Sequence, residues 1–307
     1  MPGVRQPSPN ESPAPVDRTM LELALKHERA VAATLLVLVP LACWAWIALM
    51  AQDMYGTMTG ASAWMMTPEW DAPHLLLLLA MWAVMMTAMM LPSASPLVLL
   101  YAGALRANGD PRVARKTYAM ATGYVVVWVL FSVAATVLQR VLDAALVLTP
   151  MMEPATPAAT AALLAVAGLY QLTPLKRACL RVCRSPLAYL LQHRGDASAL
   201  AAFRLGAGHG VYCLGCCWAL MLLLFAGGVM NFAVIVVLTL WVVAEKIVPF
   251  GDRTAKAGGV ILLALAVWTA FSWHPDRGAY ALRHENGAYC ALLRPLASDH
   301  ATPRAAT

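Results

Sequence analysis

Charge is scarce in this sequence. Asp, Glu, Lys and Arg together make up 12% of it, against about 25% in an average soluble chain. Hydrophobic residues reach 61% and the mean hydropathy is +0.65. That balance reads as an integral membrane protein of all-α class, a polytopic helical bundle. Other absences narrow the function. Without a GxxxxGK[ST] segment the chain is not an ATP-driven pump on its own. HExxH, GxSxG and paired carboxylates are also missing, which argues against a hydrolase and leaves enzyme activity in general an open question, leaning against. No CxxCH is present for covalent haem. The net charge of +6 is then a matter of topology, and nucleic acid is not an expected partner.

Seven apolar runs approach the 20 or so residues that a spanning helix needs. They are Ala30 to Met50, His74 to Ser93, Tyr118 to Leu138, Pro157 to Leu175, Gly210 to Gly227, Phe232 to Pro249, and Ala257 to Trp273. The apolar pattern lets the second continue to Leu105, bent at Pro92 and Pro96. The segment Ala226 to Asn231 turns the fifth directly into the sixth, with Asn231 as a cap. This gives a polar, Pro-rich disordered leader at 1–29, a membrane unit at 30–273 and a tail at 274–307. Lys and Arg gather in alternate loops. Arg106, Arg112, Arg115 and Lys116 fill one, Lys176 to Arg204 another, and the loop from Ala51 to Pro73 has none. The N-terminus is therefore expected in the cytoplasm of a multi-pass inner-membrane protein. The arginines of the tail are the one discordant group.

The cysteines are seven, an odd number, and five fall in two short motifs. "GHGVYCLGCCWALM", Gly208 to Met221, holds His209, Cys213, Cys216 and Cys217. His209, Cys213 and Cys217 step by four, so they share a helix face, and Met221 continues the row. The second motif, in "GLYQLTPLKRACLRVCRSP" (Gly168 to Pro186), holds Cys179 and Cys183, again four apart. Both motifs are expected at helix ends on one membrane face, where they would converge. Soft thiolates favour copper(I), zinc or iron–sulfur clusters. Cysteine is also a small buried hydrophobe, and packing is the competing explanation.

Methionines extend the soft-donor pattern. Met54, Met58, Met65 and Met66 sit in the expected outer loop. Met81, Met85 and Met89 share a face of the second helix, with Met86 and Met90 on the adjacent stripe. Thioethers bind copper(I) without losing a proton, although methionine also fills irregular gaps in cores. The candidate metal ligands are therefore Cys179, Cys183, His209, Cys213, Cys216, Cys217, Met85 and Met89. Glu245 and Lys246 close the sixth run near the interface, where they snorkel or pair. Gln171 and Thr173 are placed to hydrogen-bond between helices, and Pro174 to bend a helix end. His274, His284, His300 and Cys290 lie in the tail at irregular spacing.

At the two cysteine motifs, at "MMTAMMLP" and at Glu245–Lys246, the sequence resembles a bacterial family of predicted metal-binding integral membrane proteins, a domain of unknown function. The likeness covers roughly Ala30 to Trp273. It implies metal binding and supplies no settled metal or reaction. Three functions follow. The first is handling of a metal ion, copper(I) before zinc, by transport or by delivery to another membrane protein or metallochaperone. The second is a membrane thiol oxidoreductase built on Cys213, Cys216 and Cys217. The third is a partner subunit with a structural zinc site. Membrane lipid is the common surrounding.

Overall fold

The computed structural model describes residues 34–56, 71–145, 154–193 and 198–272. Every element among them is helical. A short π-helical turn, Thr34–Leu38, leads into α1 (Val39–Tyr55). Then come α2 (Ala72–Ala107), α3 (Val113–Ala144), α4 (Pro157–Gln171), α5 (Pro174–Arg184), α6 (Pro186–Gln192), α7 (Ala199–Met221), α8 (Leu223–Ala226), α9 (Phe232–Ile247) and α10 (Gly251–Phe271). The leader, the tail, and Met58, Met65 and Met66 lie outside the described residues.

The helix starts follow from capping side chains. Asp71, Thr156, Thr173, Ser198 and Asn231 each accept the backbone N–H three residues on, opening α2, α4, α5, α7 and α9. Each cap satisfies one of the donors that a first turn leaves unpaired. The turn between α2 and α3 is closed by Asp110, which accepts from Lys116 and from the Arg112 N–H. Lys116 and then Arg112 hold the Asp110 carboxyl below its usual range.

Five helical stretches are long and apolar enough to cross a membrane: Leu36–Met54, Ala72–Ala107, Val113–Ala144, Ala199–Ala226 and Gly251–Phe271. The pair α4 and α5, bent by 65° at its break, passes the same test jointly. Helix α9, at 16 residues, is the expected run that falls short by length. Large apolar side chains face outward, among them Leu49, Leu130, Leu240, Trp268 and Phe271.

Several boundaries differ from the hydropathy pattern. Helix α1 runs on to Tyr55, so Met54 is not in a loop but 1% exposed in the core. Helix α2 continues through both prolines to Ala107. Helix α7 begins at Ala199, well before Gly210, so His209 and the cysteines lie deep in a helix and not at its mouth. The reason is close packing of α7 on α3. A Cβ at Gly206 would sit 1.9 Å from the Met120 carbonyl oxygen, and one at Gly123 2.1 Å from that of Phe203. The two backbones touch there. The Gly206–Gly210 spacing is the small-residue pattern that lets helices approach this closely, and packing offsets the low helix propensity of glycine. Helix α2 lies on α3, α5 on α7, α4 on α10, and α1 on α2. Met81, Trp82, Met85, Met86, Met89 and Met90 share one buried core with Cys213, Cys216 and Cys217.

Candidate metal centre

Helix α7 brings three thiols together. The sulfurs of Cys213, Cys216 and Cys217 lie within 4.8 Å of one another, and each residue is 1% exposed. Spacings of three and four put them on one face. The Cys216 and Cys217 thiols both donate to the Cys213 carbonyl oxygen, at 3.0 Å each. Helix α5 adds Cys183, whose Sγ is 3.9 Å from that of Cys216. Cys179 lies one turn earlier, over Gly215, where a Cβ would meet its Sγ at 2.8 Å. Helix α2 adds a thioether, with Met90 Sδ 3.9 Å from Cys217 Sγ.

Cys213 has a different environment from its neighbours. Lys246 Nζ donates to its sulfur at 2.9 Å and to Ser93 Oγ at 2.8 Å. Tyr124 OH stands 3.0 Å from the same sulfur and donates to the Met90 carbonyl oxygen, also at 3.0 Å. One sulfur thus meets an amine from α9 and a phenol from α3. An ammonium in this position offsets negative charge on a sulfur ligand.

Glu245 is the other half of the arrangement. Consecutive helical residues point about 100° apart, so Glu245 and Lys246 take different partners. Glu245 Oε2 accepts from Lys176 Nζ at 2.6 Å. Its Oε1 accepts from Gln171 Nε2 and from Trp241 Nε1, each at 2.9 Å. Lys176 and Glu245 are 0% and 1% exposed. The expectation that Glu245 and Lys246 snorkel or pair with each other is corrected: both are buried, and each binds elsewhere. Lys176, read as a loop charge, is buried too. Gln171 does bridge helices. Thr173 caps α5 and donates to the Tyr170 carbonyl, closing the break that Pro174 follows.

The remaining candidates are placed as follows. His209 is one turn before Cys213 but outside the thiol group. Its ring packs on Tyr189 and Tyr124, with centroids 5.3 and 6.1 Å away. Its Nδ1 is buried without a hydrogen-bond partner among the described residues. Burial, then Tyr212 and Cys183, pushes the Tyr189 phenol up to about 12, so it stays a donor, bonded to the Leu205 carbonyl at 2.9 Å. Met85 and Met89 are buried in the same core. The thioether at the cysteines is that of Met90, one residue further along α2. Sequence reasoning left Met90, Ser93, Tyr124 and Lys246 out of the site. Two of them carried a signal, Met90 on the methionine stripe beside Met85 and Met89, and Lys246 as a charge in an apolar run.

The donor set suits a soft metal ion. Two sulfurs on opposite sides of an ion, each at the zinc–thiolate length of about 2.3 Å, are about 4.6 Å apart, within the span observed here. Fold and site together define an all-helical protein with a buried thiol cluster able to hold a metal ion. A family described as PpoB2, copper chaperone, matches residues 79–269, more than half of the chain. The chain belongs to that family. No curated protein and no solved structure matches it.

Proposed function

We propose that this chain is an integral membrane copper(I) chaperone that binds the ion through cysteine and methionine sulfur and delivers it to another protein. The observation that carries this reading is the buried group of Cys213, Cys216 and Cys217 with the Met90 thioether beside it. Thiolate and thioether ligands together favour copper(I) over zinc. Charge supports the same choice. Copper(I) between two thiolates carries one net negative charge, which the Lys246 ammonium offsets. Cys183, Cys179, His209, Met85 and Met89 are proposed as approach positions around this centre.

In this reading the membrane unit is 30–273, with a leader at 1–29 and a tail at 274–307. Seven spans come from the five long helices, α4 and α9, with the cationic α5 turned away from α4 by 65°. Helix α9 has 16 residues, so its length is about 24 Å. The protein sits in the inner membrane with its N-terminus in the cytoplasm, as the Lys and Arg pattern favours.

The test is copper(I) titration of purified protein, kept reduced in detergent, against a chromogenic chelator. Wild type is expected to hold one copper(I) with only sulfur in its X-ray absorption first shell. Cys213→Ser/Cys217→Ser is expected to bind at least about a hundredfold more weakly, the loss of two strong ligands. A wild-type protein that retains zinc and rejects copper(I) would overturn the reading.

Lys246 gives a second expected result. Lys246→Met keeps the side-chain length and removes the charge, and copper(I) affinity should fall about tenfold to a hundredfold, whereas Lys246→Arg should retain more of it. Chelator competition at fixed pH measures this. Equal affinity in the Met variant would remove charge compensation from the account.

A further inference from the structure

Exposure changes along the chain of sulfurs. Cys213, Cys216 and Cys217 are each 1% exposed, whereas Cys183 and Cys179 are half-buried. The contacts run in the same order. Cys183 Sγ is 3.9 Å from Cys216 Sγ, and Cys179 lies one helical turn before Cys183, over the backbone of Gly215. Among the described residues, the group whose sulfurs are mutually close enough to enclose one ion is that of α7. The α5 thiols stand one step outside it.

The charges of α5 sort in a related way. Lys176 is paired with Glu245, and Arg184 donates to the Val248 and Pro249 carbonyls at 2.8 and 2.7 Å. Arg181 is exposed, and Arg177, four residues before it, has a buried Nε without a partner among the described residues. Two guanidinium groups one turn apart therefore accompany the two thiols where they approach the surface.

We infer that Cys183 and Cys179 form the exit of the copper site, and that the surface of α5 docks an acidic partner protein carrying its own thiol pair. This rests on the proposed copper(I) function. Copper moves by ligand exchange. Copper–sulfur bonds to Cys183 and then to Cys179 form as two bonds to α7 cysteines break, and the protons of Cys183 and Cys179 are given up as the two vacated sulfurs each regain one. The partner's thiols then replace Cys183 and Cys179, leaving their protons on those two sulfurs. The ion stays copper(I) throughout, and no electron is exchanged. Arg177 and Arg181 orient the partner through its carboxylates. Anionic lipid would satisfy the arginines but would not take up the ion.

The experiment loads the full-length protein with copper(I) in neutral-lipid nanodiscs. It then follows transfer by stopped flow to two synthetic CxxC peptides, one flanked by glutamates and one by lysines. Cys183→Ser is expected to keep copper affinity within about threefold of wild type and to transfer at least about tenfold more slowly. Arg177→Ala/Arg181→Ala is expected to slow transfer to the acidic peptide about tenfold and to leave the basic peptide unaffected. Copper-loaded wild type treated with an alkylating reagent covers the case of a variant that does not fold. It should be modified at Cys179 and Cys183, keep its copper, and fail to hand it over.

Transfer at the wild-type rate by Cys183→Ser, or by the alkylated protein, would overturn the exit. So would a loss of affinity in Cys183→Ser as large as that in Cys213→Ser, which would make Cys183 a permanent ligand. An arginine effect equal for both peptides would remove the acidic partner. So would one that appears only when phosphatidylglycerol is included, which would assign the face to lipid. A wild-type protein that binds no copper(I) at all is a different result, and overturns the function itself.

Discussion

Glu245→Leu is expected to destabilise the fold by about 3–5 kcal/mol, because it leaves the Lys176 ammonium buried without its partner. Lys176 is 0% exposed and Glu245 is 1% exposed, so water offers little relief. Lys176→Met/Glu245→Leu should regain part of the loss by removing both charges. It should not regain all of it. Gln171 Nε2 and Trp241 Nε1 also donate to Glu245, and each donor left unpaired costs about 1–3 kcal/mol. Thermal inactivation in detergent, compared across the two single variants and the double variant, measures the order. Wild-type stability in Glu245→Leu would mean that the pair does not hold α9 against the α4–α5 break.

The second large effect is at Gly206. Its Cβ would meet the Met120 backbone, with the carbonyl oxygen at 1.9 Å and the carbon at 2.7 Å. Backbone cannot rotate aside as a side chain does. Gly206→Ala is therefore expected to push α3 and α7 apart and to cost about 1–3 kcal/mol or more. The separation should reach the thiols, because Tyr124 on α3 touches Cys213 on α7 at 3.0 Å. Loss of copper(I) affinity should accompany loss of stability. Gly103→Ala is the control, since a Cβ there meets nothing within 4 Å. In a helix interior that change is expected to be neutral or to stabilise by about 0.5–1 kcal/mol. Equal behaviour of the two variants would show that the close approach of α3 and α7 is not required.

The legible parts of this molecule were those with a local cause. Hydropathy alone gives the helical class. Asn231 and Pro174 announce the start of α9 and the α4–α5 break through their own side chains, whereas Thr173, expected to bond between helices, caps α5. The four-residue spacings correctly put Cys213 with Cys217 on one face of α7. What remained illegible depends on neighbours distant in sequence. The hydropathy pattern starts the fifth run at Gly210, whereas α7 starts at Ala199, with Gly206 packed on the α3 backbone. Met89 and Met90 differ by one residue, and the rotation of α2 against α7 decides which reaches Cys217. Nothing around Tyr124 or Ser93 marks them, since both act through residues far along the chain. Lys246 was visible as a charge, but its partner was not.

The order of synthesis is a consequence of where Glu245 and Lys246 sit. Chains emerge from the N-terminal end, and a charge left alone in lipid costs about 2.5–3.5 kcal/mol even by insertion scales. Ser93, Gln171, Lys176 and Cys213, which receive these two charges, all precede them in the sequence. When α9 leaves the ribosome its docking surfaces have already been made. The charged end of α9 is thus added after the groups that accept it, and the thiol site acquires its cation last.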